Sequence, residues 1–248
     1  MRRHELSDAQ WDQIEKLLPS GIGRPSKRGD RNFINAVIWI AKTGAPWRDL
    51  PERFGNWKAI YNRFRNWAKR DVWKDIFEAA AVNDDDIGGI LDASVVRAHQ
   101  DASGGKGGSK KNEIGRSRGG FSTKIHALVD TKGRPITLRI TPGQQHESTV
   151  ADDLIDYIVG GACLGDGGYD ANRIIEELRQ REIKPVIPSG KTRKKKRRHD
   201  KKLYRLRYLI ECFFHNIKRF RRVATRYEKT ASSFLAILHI GCLFQWIL

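Results

Sequence analysis

Around the run "NDDDIGG" (83–89) the spacing of apolar residues changes period. Upstream they recur at three- and four-residue intervals, as one face of an α-helix requires. Downstream they alternate, as in strands. Three strand-like segments follow the change: "GILDASVV", "FSTKIHALVD" and "RPITLRITPG", the last two joined by the turn "TKGR". Next come a helix from about Ser148 to Val159, a short strand "ACLGD", a helix over Ala171–Arg181, a strand "KPVIP", a long helix from Leu203 to Lys218 and an apolar C-terminal helix. A meander of three strands followed by alternating helices and strands predicts a mixed sheet with helices on its faces, an α/β layered fold. The Gly/Lys/Ser/Arg stretch between the first two strands reads as a loop of some two dozen residues, a length that usually marks function or mobility.

The part before the change is helical. In "LSDAQWDQIEKLLP", Ser7 and Gln10 form a capping box and Pro19 ends the helix. After the connector "GIGRPSKRGD", Asp30 is placed to cap a second helix that runs through Lys42 and closes at Gly44. A third helix, Trp57 to about Arg70, gathers Ile60, Phe64 and Trp67 on one side. Lys58, Asn62, Arg65 and Lys69 fall on the other. This suits a helix-turn-helix-like unit whose last helix faces DNA, although any amphipathic surface helix can carry such a face. The expected division is a helical DNA-binding domain over 1–82 and an α/β domain over 83–248.

Charge narrows the partner. The formal net charge is +18, and Lys191–Lys229 alone holds seventeen Lys and Arg against Asp200, Glu211 and Glu228. A polyanion is implied, nucleic acid before an anionic membrane surface. Cys163, Cys212 and Cys242 lack metal-ligand spacing and read as buried free thiols in a reducing compartment. "MRRHELSDAQ" has no apolar signal core, and "FLAILHIGCLFQWIL" is short for a membrane span, so a cytoplasmic protein with a buried last helix is expected.

Three carboxylates stand out. Asp92 lies inside an apolar strand, where an acid is costly unless paired or metal-bound. Asp166 ends "ACLGD" and precedes "GGYD", a turn that projects a side chain from a strand's C-terminal end. Asp170 is explained as a helix cap. On one continuous helix, Tyr204, Arg207, Glu211, His215 and Lys218 share a polar stripe about 80° wide, opposite Leu206, Ile210, Phe213 and Ile217. Each acid alone also fits a plainer role: an edge strand, a turn, a surface salt bridge. Together they suit a two-metal phosphoryl-transfer site, with two Mg²⁺ (or Mn²⁺) ions on oxygen ligands and the flanking cations on phosphates.

Tyr204-x2-Arg207-x3-Glu211-x6-Lys218 resembles the YREK signature of bacterial insertion-sequence transposases of the DDE class. "GRSRGGFSTKIHALVD", "TPGQQHES", "LGDGGYD" and "GAPWRDLPERFGNWKAIYNRF" are similar to the insertion sequence five family, and the element order matches a ribonuclease H-like core. The resemblance implies Asp92, Asp166 and Glu211 as the metal-binding triad, with Tyr204, Arg207 and Lys218 on DNA phosphates near the cut. It further implies cleavage at inverted-repeat ends, joining of 3′-hydroxyls to target DNA, and at least a homodimer in the active complex. His126 and His146 lie in matching motifs, where a strand-exposed histidine and a turn histidine are adequate explanations. Cys212 stands where many relatives carry Arg, and Glu147 where Asp is common. A DNA-binding regulator or domesticated transposase that has lost chemistry is the alternative.

Overall fold

The computed structural model describes residues 3–19, 28–81 and 88–247. The expected boundary at 82/83, most of "NDDDIGG" and most of the connector 21–30 lie outside these residues. The chain divides into two compact units. One comprises Met1–Ala81, Ala98–Asn112 and Ile217–Leu248; the other comprises Val82–Arg97 and Glu113–Asn216.

The first unit is helical, beginning with α1 (Asp8–Glu15), α2 (Gly29–Thr43), α3 (Trp57–Lys69) and α4 (Val72–Ala80). The capping box of α1 forms as its residues predict: the Gln10 amide donates to Ser7 Oγ at 3.2 Å and the Ser7 amide to Gln10 Oε1 at 3.1 Å. The helix stops at Glu15, short of Pro19. Gly44 closes α2 at φ 74°, a left-handed conformation that costs glycine least. Asp30 does not cap α2. Gly29, at φ 75°, starts the helix two residues earlier than a cap at Asp30 would, so Asp30 falls in its first turn and pairs with Arg63 at 2.6 Å.

Ile60, Phe64 and Trp67 of α3 are buried as the periodicity requires. Phe33, Phe64, Trp67 and Trp73 form an aromatic cluster with ring centroids 5.0–6.0 Å apart, contacts that add to area burial. The helix Ala231–Leu243 packs on α3 and α4 and is buried over most of its length, which explains why it is apolar all round. No helix among the described residues is long and apolar enough to cross a membrane.

The second unit is built on a mixed sheet. Its strands are β1 (Gly88–Ala98), β2 (Gly115–Ser117), β3 (Gly120–Val129), β4 (Pro135–Pro142), β5 (Ala162–Leu164) and β6 (Lys184–Val186). β3 lies antiparallel to β1 on one side and to β2 and β4 on the other, while β5 and β6 continue beyond β1 in parallel. The helices Ala151–Ile155 and Asn172–Gln180 cover the sheet through Leu154, Ile155, Ile174, Ile175 and Leu178, packed with Leu91, Leu128 and Cys163. The expected meander followed by alternating helices and strands is therefore present.

The stretch after β1 is not structureless. Among residues 97–120 are a 3-10 turn Gln100–Ala102, a helix Gly108–Lys111 and β2; local hydrogen bonds from Ser103 and Asn112 hold its turns. Cys163 and Cys242 are buried, but Cys212 is exposed, because it lies beside Glu211 on the outer face of its helix.

His126 is fully buried rather than strand-exposed, with Nε2 2.8 Å from Thr141 Oγ1 and Nδ1 lacking a hydrogen-bond partner. Burial, helped by the Lys124 charge, lowers its pKa to about 4. The unfolded chain takes up this proton near pH 6.5, whereas the folded one resists until about pH 4. Its neutral burial therefore stabilises fully above pH 6.5, and that contribution is lost as pH falls towards 4. The loss approaches about 3 kcal/mol. Denaturant melts of His126→Gln should show a shallower fall in stability between pH 7 and 4.5 than the wild type.

Candidate active site

The parallel register of β1 and β5 positions the first two acids. Ile90 pairs with Leu164, so Asp92 and Asp166, each two residues further along, come out side by side just past the end of β5. Asp92 is half-buried, and its carboxylate accepts from the Ala93 amide at 2.8 Å. Asp166 caps the 3-10 turn Gly167–Tyr169 and accepts from the Gly168 amide at 2.8 Å.

A third carboxylate joins them. Glu147 opens the turn Glu147–Val150 after β4, and carboxylate oxygens of Asp92, Glu147 and Asp166 lie within 4.8 Å of one another. Burial raises the Asp92 pKa, and the charges of Asp166 and Glu147 raise it further, against Ala93 and Arg207. Glu147 was visible in the sequence as an acid at a position where relatives carry Asp, but not as a neighbour of the other two.

The surroundings suit a hard divalent cation. All donors are oxygens. A Cβ on Gly168 would stand 2.9 Å from both Asp166 Oδ1 and Glu147 Oε2, so the glycine keeps the space between them open. The Tyr169 hydroxyl is buried without a hydrogen-bond partner, and its pKa is raised by burial and then by Glu147, Asp92 and Asp166. A phenol facing three carboxylates can donate to one of them or to a water held there.

Arg207 connects this cluster to the helix Tyr208–Ile217. Its guanidinium donates to Asp92 Oδ2 at 2.6 Å and to Glu211 Oε1. Glu211 is 57 % exposed and lies outside the cluster of three acids. The uninterrupted helix expected from Leu203 to Lys218 is broken into Lys201–Tyr204, a 3-10 turn Arg205–Arg207 and Tyr208–Ile217. A 3-10 turn advances 120° per residue instead of 100°, which swings Tyr204 roughly 60° off the predicted stripe. Lys218 follows the last helical residue in a turn, half-buried, with burial lowering its pKa.

Asp170 is not a helix cap. Ala171 occupies that position, and the Asp170 carboxylate, 2 % exposed, instead accepts from the Gly190 amide at 2.8 Å and from Arg193 and Arg197 at 2.5 Å each. Arg193 and Arg197 thereby anchor the basic run 191–202, leaving Lys194, Lys195, Arg198, Lys201 and Lys202 exposed. An open cavity of about 510 Å³ borders it, lined in part by His146, Gly168, Arg193, Lys194 and Lys195. His146 is exposed and caps its own turn through Ser148, the plain turn role. On α3, Lys58, Asn62 and Lys69 are exposed and Arg65 is half-buried.

The model of a "Transposase DDE domain" matches residues 83–244, and one described as "Putative transposase of IS4/5 family" matches residues 6–77. The chain belongs to the DDE transposase family. It is 34% identical over 135 residues to the "Putative transposase for insertion sequence element IS6501" of Brucella ovis, covering 51% of this chain and 99% of that one. It is also 30% identical over 143 residues to the "Putative transposase for insertion sequence element IS402" of Burkholderia cepacia, covering 53% and 64%. The piggyBac transposase, solved as a synaptic complex with hairpin DNA, superposes with a TM-score of 0.52 at 10% identity over 97% of this chain and 70% of that one. That likeness is one of fold, and it places the transposase among ribonuclease H-like folds. A DDE domain implies use of a divalent metal.

Proposed function

We propose that this transposase binds the inverted-repeat ends of its insertion sequence, cuts them, and joins the freed 3′-hydroxyls to target DNA, using two Mg²⁺ or Mn²⁺ ions. The observation that carries the reading is the meeting of Asp92 from within β1, Asp166 from just past β5 and Glu147 from the turn after β4, with Arg207 between Asp92 and Glu211. Ions held there supply charge neutralisation of the scissile phosphate and activation of the attacking oxygen. Asp92, Asp166 and Glu211 are the proposed metal ligands, and Glu147 is added to them.

Arg207 carries the positive charge against Asp92 and Glu211 until DNA arrives. It then turns to a phosphate, as Tyr204 and Lys218 do, and the acids are freed. The exposed cations of 194–202 track the backbone. Residues 1–82 serve as the DNA-binding domain, with Lys58, Asn62, Arg65 and Lys69 facing the duplex, and 83–248 as the catalytic domain. Bringing two ends together requires a homodimer in the active complex, acting in the cytoplasm.

A duplex carrying the terminal repeat tests this reading. Incubated with the full chain and Mg²⁺, it should be nicked to leave a 3′-hydroxyl, and EDTA should stop the reaction. Binding with no nicking in Mg²⁺ or Mn²⁺ would favour the regulator or domesticated transposase instead.

A further inference from the structure

The helical unit contains an open cavity of about 850 Å³, within the range of small-ligand sites. Trp47, Trp57, Tyr61 and Tyr227 line it, all half-buried. The Trp47 ring is braced 5.2 Å from Tyr61 and 5.0 Å from Phe64. The Arg222 guanidinium lies 5.8 Å from the Trp47 ring and 5.5 Å from that of Tyr227. Arg222 also donates to Glu228 at 2.6 Å; both residues are more than nine-tenths buried, and Arg222 Nε and Glu228 Oε2 have no hydrogen-bond partner. At the rim, Arg48, Lys106 and Lys229 are exposed.

We propose that this cavity takes one unstacked nucleotide of DNA, its base against Trp47 and Tyr227 and its phosphates on the rim cations. Aromatic faces with a cationic border are what a base attached to phosphates requires, and stacking on them accepts any base. Buried polar atoms left unpaired are costly, and the edge of a base carries both the acceptor and the donor that Arg222 Nε and Glu228 Oε2 lack. The lining cations Arg48, Arg65, Lys106, Arg222 and Lys229 outnumber Asp101 and Glu228, which favours an anionic ligand. The inference rests on the transposase reading, since it makes DNA the source of the nucleotide; extrusion costs least where a base is already unpaired.

The test compares a duplex carrying one unpaired 2-aminopurine with the same duplex fully paired, both titrated with the full chain. The bulged duplex should bind about tenfold or more tightly, with 2-aminopurine fluorescence quenched by stacking. Trp47→Ala should remove that preference, a loss of about ten- to a hundredfold, and leave the paired duplex bound as before. Tyr227→Leu, which keeps an apolar side chain but removes the ring, should weaken the preference while the paired duplex is still bound as by the wild type. Equal affinity for the two duplexes, or a preference unchanged in both variants, would overturn the pocket while leaving DNA binding intact. Binding of neither duplex would overturn the DNA reading together with the pocket. Free dAMP, dCMP, dGMP or dTMP binding as tightly as the bulged duplex would overturn DNA as the source.

Discussion

Asp92→Asn and Asp166→Asn should each lower metal-dependent strand cleavage about a thousandfold or more, with affinity for DNA unchanged. Each replacement keeps the shape of the side chain and removes one charge from a cluster whose oxygens lie within 4.8 Å of one another. A bound divalent ion contributes several kcal/mol to charge stabilisation in phosphoryl transfer, and each 1.4 kcal/mol lost is about tenfold in rate. Stability should move the other way. Burial and the neighbouring acids raise the Asp92 pKa, so its charge opposes folding above the normal carboxylate range and Asp92→Asn should melt no lower than the wild type at pH 7. Arg207 keeps Glu211 as a partner in that variant. Wild-type cleavage by either variant would remove that residue from the site. Glu211→Gln tests the proposed third ligand in the same assay, and Glu147→Gln the added one.

Replacing Lys194, Lys195, Arg198, Lys201 and Lys202 together by Gln should weaken DNA binding and flatten its salt dependence. Each phosphate that the protein no longer neutralises lowers the slope of log affinity against log salt by about 0.9. If all five track phosphates, the slope falls by about 4.5. Arg193→Gln and Arg197→Gln should behave differently. Their partner Asp170 is 2 % exposed, so removing either leaves a buried carboxylate under-paired and lowers stability by about 2 kcal/mol or more. Their effect should therefore appear in the melting temperature, whereas the five-fold variant should melt normally. An unchanged salt slope in that variant would show the run to be a solvated strap with no part in DNA binding.

Local chemistry carried much of the fold. The Ser7/Gln10 box, the Gly44 terminus, the buried face of α3 and the order of strands and helices all follow from residues a few positions apart. Asp92 and Asp166 could be picked out because a strand acid and an acid before paired glycines are unusual locally. What the residues could not reveal was register. The pairing of Ile90 with Leu164 sets the two acids level, and no spacing along the chain contains it. Glu147 and the cluster share the same dependence on long-range placement. At Asp170 a cap and a buried arginine clamp both ask for an Asp before a helix, and only the position of Arg193 and Arg197 decides between them. The 3-10 turn at Arg205–Arg207 escaped for the opposite reason: its helical pattern is sound, and the tightening is a matter of a few tens of degrees. Tyr227 is far along the chain from Trp47 and Trp57, so their shared cavity was equally hidden.

The central claim is that Asp92 and Asp166 hold the divalent ion on which cleavage depends. Electron paramagnetic resonance of Mn²⁺ titrated into the full chain bound to the terminal-repeat duplex, with the duplex alone as the blank, measures this directly. The wild type should bind Mn²⁺ with an affinity that falls at least about a hundredfold in Asp92→Asn/Asp166→Asn, in parallel with the loss of nicking. Unchanged Mn²⁺ affinity in that double variant would contradict the account.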